Sequence, residues 1–290
     1  MRNALGMTLE QQTTLKDQDE QPLVTRRQIF TEGCMRRIAA MLGLPGLEWS
    51  MGDSVPFGWH FPLFGAETLR NKLRADGFPG LGIPSPDIAS KRLVATGRSV
   101  ETMRRICLGQ ELERTSRIAA ITPKSTPQGL VTFVTVEHAV RDLGNATSFL
   151  EETQTFLLLD TLFAITPPAQ TTTPNTIVKT ITPDDTMLFQ FSALSFNSHK
   201  IHLDRDYART VEGYPDLVVN GGLTTLFMTE IARAAFGNSI TRLSVRNSAP
   251  LFCNRPIHFA QSDQGGRHAI LAIDDDGRTA AEMEFEADDV

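Results

Sequence analysis

Apolar residues recur at helical spacing and then at strand spacing in the first half of this 290-residue chain. Residues 26–42 are predicted to form a helix, because their apolar positions repeat every three or four residues. Residues 130–140 alternate instead, with Val134, Val136 and Val140 on one face, which predicts a half-buried strand. A second apolar run spans Phe149 to Phe163. The apolar positions of the predicted helix are Ile29, Phe30, Cys34, Ile38 and Met41.

The second half repeats this order of helix and strands. The alternation of Phe189, Phe191 and Ala193 with polar neighbours predicts a strand that ends near Asn197. Gly221-Gly222 is predicted to open a long amphipathic helix that ends at Gly237. Strands are then predicted at about 240–247, 256–262, 267–274 and 278–287. Asp275-Asp276-Gly277 joins the last two as a hairpin.

The composition of the connecting segments divides the chain into two units. Residues 166–176 contain adjacent prolines and polar β-branched residues, which indicates a linker. We therefore predict a loose tail over 1–24, one unit over 25–165 and a second over 177–290. Residues 43–90 form a long loop rich in Gly and Pro, and such a loop typically covers a binding site or is partly mobile. The predicted class is α+β, with a helix packed on a curved antiparallel sheet in each half.

The overall charge and the cysteine content exclude several classes of protein. A net charge of −6 and a pI near 5.6 give no electrostatic reason to expect nucleic acid or an anionic membrane as partner. Three cysteines without a CxxC pair indicate neither a zinc site nor a disulfide framework. No apolar run is long enough to span a bilayer. The polar, acidic first 24 residues resemble neither a signal peptide nor a good transit peptide, which favours the cytoplasm, with the mitochondrion as a second option.

Five chemically capable side chains lie within ten residues after the predicted strand. Asn197, His199, His202, Asp204 and Asp206 combine an amide, two imidazoles and two carboxylates. A neutral imidazole near its unperturbed pKa can take and return a proton, and an amide can hold water without titrating. This segment suits a site that positions water and moves protons.

The same segment resembles that of a known family. Phe196-Asn-Ser-His-Lys-Ile-His-Leu-Asp204, followed by Glu212-Gly-Tyr-Pro-Asp-Leu-Val-Val219, is similar to double-hotdog acyl-thioester hydratases and dehydratases of the MaoC group. Mesaconyl-CoA and itaconyl-CoA hydratases and mitochondrial type 2 hydroxyacyl-thioester dehydratases belong to that group. In the first half, Phe57-Gly-Trp-His-Phe61 and Gly109-Gln-Glu-Leu-Glu-Arg-Thr-Ser-Arg-Ile118 agree with it. The resemblance covers roughly residues 25–287.

The resemblance implies two hotdog folds, of which only the C-terminal one, 177–290, is catalytic. It implies a hydro-lyase that adds water to, or removes it from, an acyl thioester of CoA or a carrier, with Asn197 and His202 as the catalytic pair. No metal or other cofactor is expected. The N–H groups of Gly221 and Gly222 at a helix start would polarise the thioester carbonyl. A homodimer is one assembly that the sequence leaves open.

Three further residues are expected to bind substrate. Asn220 stands at the helix entrance where the family usually has His, Arg246 could reach a CoA phosphate, and His199 could line the cleft. Family members also carry a Trp in the segment that corresponds to residues 91–97, which this chain lacks. Both departures lie where the acyl group should sit.

Other interpretations of these residues remain open at this stage. His202-x-Asp204 with His258 and Arg267 downstream resembles the iron site of 2-oxoglutarate-dependent oxygenases, and His199-x-x-His202 could be half a zinc site. A non-catalytic acyl-thioester binding module and a thioesterase are the remaining alternatives. More ordinary roles are helix capping by Asp204 or Asp206 and a packed structural role for His60 and His138.

Overall fold

Strand β1 precedes the first helix and corrects the predicted helix boundary. The computed structural model describes residues 23–84, 92–126, 129–159, 176–264 and 267–287. The chain first forms β1 (Val24–Ile29), whose residues alternate between half-buried and exposed. Only then does α1 (Glu32–Leu42) begin. The prediction that the helix starts at residue 26 is wrong, because the alternation of 24–29 suits pairing with another strand and Thr31 caps the helix at Cys34 N.

Two of the remaining four strands of the first half were predicted, those at 130–140 and from residue 149, and the other two, at 92–102 and 111–126, were not. Val134, Val136 and Val140 are buried on one face, as predicted, and His138 shares that face. The strands are β2 (Arg92–Thr102), β3 (Glu111–Thr126), β4 (Gly129–Asp142) and β5 (Leu150–Leu159).

The strand predicted to end near Asn197 is a helix, and that prediction is wrong. Residues Asp185–Leu194 form α2, with Asp184 capping the N–H of Met187 at 2.8 Å. Phe191 is buried whereas Phe189 is 61% exposed, so the two do not share a buried face. Alternation over six residues is short enough to fit either structure, and the Asp184 cap decides for the helix.

Apart from β6 (Thr176–Ile181), which was not predicted, the rest of the second half follows the prediction. Strand β6 precedes α2, and a short 3-10 helix (Lys200–His202) and α3 (Arg205–Thr210) follow it. Helix α4 (Gly221–Phe236) begins at the two glycines and ends at Gly237, as predicted. Four strands complete the chain: β7 (Ile240–Asn247), β8 (Ile257–Gln264), β9 (Arg267–Ile273) and β10 (Thr279–Ala287).

All ten strands of the described residues join one antiparallel sheet. Its order is β1-β3-β4-β5-β2-β7-β10-β9-β8-β6, so the strands of the first half occupy one side and those of the second half the other. Strands β2 and β7 pair at the centre and join the two sides. Apolar residues of α1 and α4 pack with the inner faces of the strands in one large core.

Two predicted segments fall largely outside the described residues. Residues 166–175 of the predicted linker lie there, and Thr176 already belongs to β6. Residues 1–22 of the predicted tail also lie there. Among the helices that the structure describes, none is both long enough and apolar enough to cross a bilayer.

Candidate active site

His202 is buried at the end of the short 3-10 helix that follows α2. Its Nδ1 lies 2.7 Å from the carbonyl oxygen of Val218. Because a carbonyl only accepts hydrogen bonds, Nδ1 carries the proton and, in the neutral ring, Nε2 carries the lone pair. Burial lowers the pKa of His202 from 6.5 to about 4, only partly opposed by the Val218 carbonyl. At neutral pH this imidazole is uncharged and its Nε2 is a free base.

Asn220 connects His202 to the start of α4. As N-cap of the helix, its Oδ1 accepts a hydrogen bond from the N–H of Gly222 at 2.8 Å. This bond orients the amide so that Nδ2 lies 3.4 Å from Nε2 of His202. The sequence predicted a contact between Asn220 and substrate, and the structure places it beside the imidazole, at the edge of the cavity.

The two glycines of the helix start differ in what they can offer a ligand. The N–H of Gly222 is bonded to Asn220, so in this arrangement it is not a free donor as the sequence analysis expected. The N–H of Gly221 has no acceptor among the residues that the structure describes. A Cβ at Gly221 would lie 3.2 Å from Nδ2 of Asn247, so the glycine also permits close packing there.

Asn197 and His199 form the wall of the cavity next to His202. The Oδ1 of Asn197 accepts from the backbone N–H of His199 at 3.1 Å, which leaves the amide NH₂ as the group that can donate to a ligand. His199 is buried, with its ring centroid 5.5 Å from that of His202. Burial first, and then the neighbouring His202, lower the pKa of His199 to about 3. Both residues line the cavity, as predicted for His199.

The long loop of the first half covers this site. The backbone at Gly77 adopts φ +78°, and a Cβ there would lie 2.3 Å from the carbonyl oxygen of Ser198. Likewise a Cβ at Gly65 would lie 2.1 Å from the carbonyl oxygen of Ser195. The loop therefore approaches the segment of Asn197 and His199 backbone to backbone, and it lines the cavity with Phe61, Phe64 and Phe78.

A cavity of about 380 Å³ connects these residues to the first half of the sheet. Its lining from that half includes four polar side chains that the sequence analysis did not name as site residues, Arg98, Arg114, His138 and Gln154. They could have been found from strand periodicity, since Arg114 stands two residues after the buried Leu112 and Arg98 two before the buried Val100.

Arg246 lies outside this cavity, and its expected contact with a CoA phosphate stays a prediction. Its side chain is 73% exposed on β7 and pairs with Glu282 at 2.9 Å. The next residues of the chain, Asn247 and Ser248, do line the cavity. Alternation along β7 sends the side chains of Arg246 and Asn247 to opposite faces of the sheet.

Comparison with known proteins now decides the family. The model of the family described as hydroxyacyl-thioester dehydratase type 2 matches residues 58–253, more than half of the chain. The chain belongs to this family. It is 33% identical to the mesaconyl-C(4)-CoA hydratase of Chloroflexus aurantiacus over 83% of this chain and 87% of the relative. It is 27% identical to the mitochondrial hydroxyacyl-thioester dehydratase type 2 of Schizosaccharomyces pombe, over 72% and 78% of the two chains.

Solved structures confirm the predicted double-hotdog fold. A MaoC-like dehydratase from Phytophthora capsici aligns with a TM-score of 0.67 at 15% identity, over 93% of this chain and 96% of that one. A Mycobacterium tuberculosis protein described as having a double hotdog fold aligns with a TM-score of 0.60 at 12% identity, over 94% and 97%. With the family assigned, the chain is a hydro-lyase of acyl thioesters, as the sequence predicted.

Family membership and geometry together disfavour the iron-oxygenase alternative. Asp204 caps α3 by accepting from the N–H of Tyr207 at 2.9 Å, and His258 contacts Thr180 at 3.0 Å on another strand pair. Among the described residues no three His, Cys, Asp or Glu side chains group as metal ligands.

His60 packs against phenylalanine rings, as predicted, and His138 contacts Ser116 at 2.8 Å in the core.

Proposed function

We propose that the enzyme reversibly adds water across the Cα–Cβ double bond of a 2-enoyl thioester, with His202 as the acid and base. The observation that carries this proposal is the neutral, buried imidazole whose Nδ1–H is held by Val218 and whose Nε2 faces Asn220 at the edge of the cavity. A base fixed in one tautomer needs no reorganisation before it takes a proton.

The proposed reaction is balanced by one proton that His202 takes and returns. Nε2 removes a proton from water, and the water oxygen forms a bond to Cβ. The electron pair of the double bond moves towards the thioester carbonyl, and the imidazolium then delivers its proton to Cα. The reverse sequence expels water from a 3-hydroxyacyl thioester, so the same groups serve hydration and dehydration.

Two neighbouring groups have supporting roles in this proposal. Asn197 holds the water through its amide, with the NH₂ as donor and the second lone pair of Oδ1 as acceptor. The N–H of Gly221, at the positive end of α4, stabilises charge on the thioester oxygen, a role typically worth about 3 kcal/mol per donor. All these residues follow Thr176, which supports a catalytic C-terminal hotdog over 177–290 and a first half that supplies binding surface.

The thiol group that carries the acyl chain, of CoA or of a carrier protein, and the cellular compartment are also proposals. The Chloroflexus relative is named for a CoA thioester, which supports CoA rather than a carrier protein as the acyl carrier of the substrate. The Schizosaccharomyces relative is named as mitochondrial, so the cytoplasm and the mitochondrion are the two compartments to distinguish. Activity with CoA esters and fluorescence microscopy of a tagged full-length chain test these two points.

Incubation with 2-enoyl-CoA esters, including crotonyl-CoA and mesaconyl-C(4)-CoA, tests the reaction. We expect the enoyl absorbance to fall and the mass of the ester to rise by that of one water. Release of free CoA thiol instead would identify a thioesterase, and binding without turnover of any ester would identify a binding module. Either result contradicts the proposal.

Replacing Asn220 with aspartate tests the dependence on a neutral His202. An aspartate keeps the oxygen that caps Gly222, so the stability should change little. Its second oxygen replaces the NH₂ beside Nε2, and such a carboxylate raises the pKa of an adjacent imidazole by about 1–3 units. Since only the neutral ring is a base, the acid limb of kcat/KM should then follow the raised pKa of His202 and lie at higher pH than in the wild type.

The matched control for this variant is Asn220→Ser, which caps the helix without adding charge. Its acid limb should stay where the wild-type limb lies, whatever its rate. An unchanged acid limb in Asn220→Asp would show that Asn220 does not contact the working base.

A further inference from the structure

A row of polar side chains crosses the buried face of the first-half sheet. Strand register places Ser116 opposite His138, His138 opposite Glu152, and Arg98 opposite Gln154. Arg114 precedes Ser116 on the same face of β3. We call this row the polar belt; its members are Arg98, Arg114, Ser116, His138, Glu152 and Gln154.

The polar belt interrupts what would otherwise be a continuous apolar core. On one side of it Leu112 and Val140 belong to the main core with α1. On the other side Ile118, Val134 and Phe156 form a separate cluster. Placing charged groups between two apolar clusters is costly unless each charge is paired and hydrogen-bonded. Each charged side chain of the polar belt is therefore expected to have an oppositely charged or hydrogen-bonding partner.

The charges of the belt do not balance. Arg98 and Arg114 are positive, and Arg98 pairs with Glu152 at 3.2 Å. Despite burial, Arg98 and the nearby histidines hold the pKa of Glu152 at about 2, so it is ionised. Burial lowers the pKa of His60 and of His138 to about 4, so both are neutral at pH 7. One positive charge remains without a counterion in the belt.

The two guanidinium groups also have N–H groups without acceptors. Nη1 of Arg98 and Nε of Arg114 are buried, and neither has a hydrogen-bond partner among the described residues. Arg114 is only 6% exposed, and its Nη1 donates to the carbonyl oxygen of Phe64 at 2.7 Å. Both arginines line the cavity that His202 also lines. The orphan donors and the excess charge thus meet at the same cavity as the proposed base.

We propose that Arg98 and Arg114 bind a carboxylate at the distal end of the acyl group, so that the preferred substrate is a thioester of a dicarboxylic acid. The inference rests on the proposed function in that it uses the same cavity. A planar guanidinium suits a carboxylate because its N–H groups match the two oxygens. A substrate that ends in a methyl group would leave these buried donors unpaired, and a site built for hydrogen bonding rejects such an analogue.

Calorimetry with two saturated esters tests the proposal without requiring turnover. Succinyl-CoA carries the carboxylate, and butyryl-CoA has a methyl group at the same position. We expect wild-type protein to bind succinyl-CoA about 100-fold more tightly than butyryl-CoA, as for a buried charge pair. Equal affinities for the two esters would overturn the proposal.

Arg114→Met assigns the preference to the belt. Methionine fills the space without charge, and Glu152 keeps its partner Arg98. The preference for succinyl-CoA should fall to about 10-fold or less, while the affinity for butyryl-CoA is kept. Arg117→Met is the matched control, since Arg117 lies on the same strand but is 52% exposed and pairs with Glu137. If Arg114→Met does not fold, Arg114→Lys, which keeps the charge and loses the fork, should show an intermediate preference.

Two further arms separate this inference from other outcomes. If inorganic phosphate strengthens butyryl-CoA binding to the level of succinyl-CoA, the belt holds a free anion and the proposal is wrong. In assays, fumaryl-CoA should be hydrated faster than crotonyl-CoA. Equal hydration of both would refute the carboxylate site and leave the proposed function intact. Selective binding of succinyl-CoA without hydration of any ester would support the carboxylate site and refute the proposed function.

Discussion

His202→Asn is expected to lower kcat by about 1,000-fold with little loss of stability. The asparagine NH₂ can replace Nδ1–H as the donor to the Val218 carbonyl, which lies 2.7 Å from the ring in the wild type. Nothing in the variant replaces Nε2, so water keeps its proton and Cα receives none. Steady-state rates on the best wild-type substrate and thermal unfolding curves measure the two effects. The KM should change little, because the lost interaction acts in the transition state.

His258→Asn is the matched control for this variant. His258 lies on β8, contacts Thr180 and does not line the cavity, so its replacement should leave kcat unchanged. If His202→Asn keeps more than half of the wild-type rate, His202 is not the base. A large loss of stability in His202→Asn together with unchanged kcat per folded molecule would assign it a structural role only.

The sequence alone could point to His202 as the proposed base because the relevant groups are close along the chain. Asn197 and His202 are five residues apart, and residue types alone suggested acid–base chemistry there. The prediction did not require the secondary structure to be right, and the strand placed before Asn197 is in fact α2. The start of α4 was predictable as well, since two glycines followed by an amphipathic pattern are a local signal.

The polar belt was not predicted because strand pairing assembles it. Arg98 and Glu152 are far apart in sequence and become ion-paired only once β2 lies beside β5. Single-sequence patterns give the faces of strands but not their order in a sheet. Arg246 is next to cavity residues along the chain, but the period of two sends its side chain to the outer face of the sheet. A residue that is next to cavity residues along a strand can therefore line the cavity only if its side chain lies on the same face of the sheet.

The proposed base and the polar belt lie in different halves of the chain. In the proposed mechanism the second half supplies a base on a short helix and a helix start, which are local structures. The first half supplies a buried sheet face whose charges come from β2, β3 and β5. Substitutions in the belt should therefore change which ester is used, whereas substitutions around His202 should change the rate on every ester.

The free energy of unfolding is expected to fall steeply as the pH drops below about 6.5. Burial lowers the pKa of His60, His138 and His202 from 6.5 to about 4 and that of His199 to about 3. Between these values the unfolded chain binds protons that the folded protein does not, so the folded state loses stability as the pH falls. Each such group contributes a slope of about 1.4 kcal/mol per pH unit, and four give at most about 5.5 kcal/mol per unit.

Urea denaturation at several values between pH 7.5 and pH 4.5 measures this slope. Glu152 should not contribute strongly in that window, since its pKa is lowered from 4.5 to about 2 and its stabilising effect is lost only below 4.5. His138→Gln, which can keep a hydrogen bond to Ser116, should reduce the slope by about one proton, or 1.4 kcal/mol per pH unit. A free energy of unfolding that stays constant from pH 7 to pH 5 would show that these imidazoles are not buried in the folded protein.

This linkage also predicts what limits activity in acid. With a pKa of about 4, His202 remains a base in the folded protein well below neutral pH. Activity should therefore disappear together with the folded state, because the unfolded chain takes up the protons first. Circular dichroism recorded in the assay buffer should lose its signal at the same pH as the rate. A rate that falls while the folded signal persists would mean that the pKa of the working base is higher than burial of His202 allows.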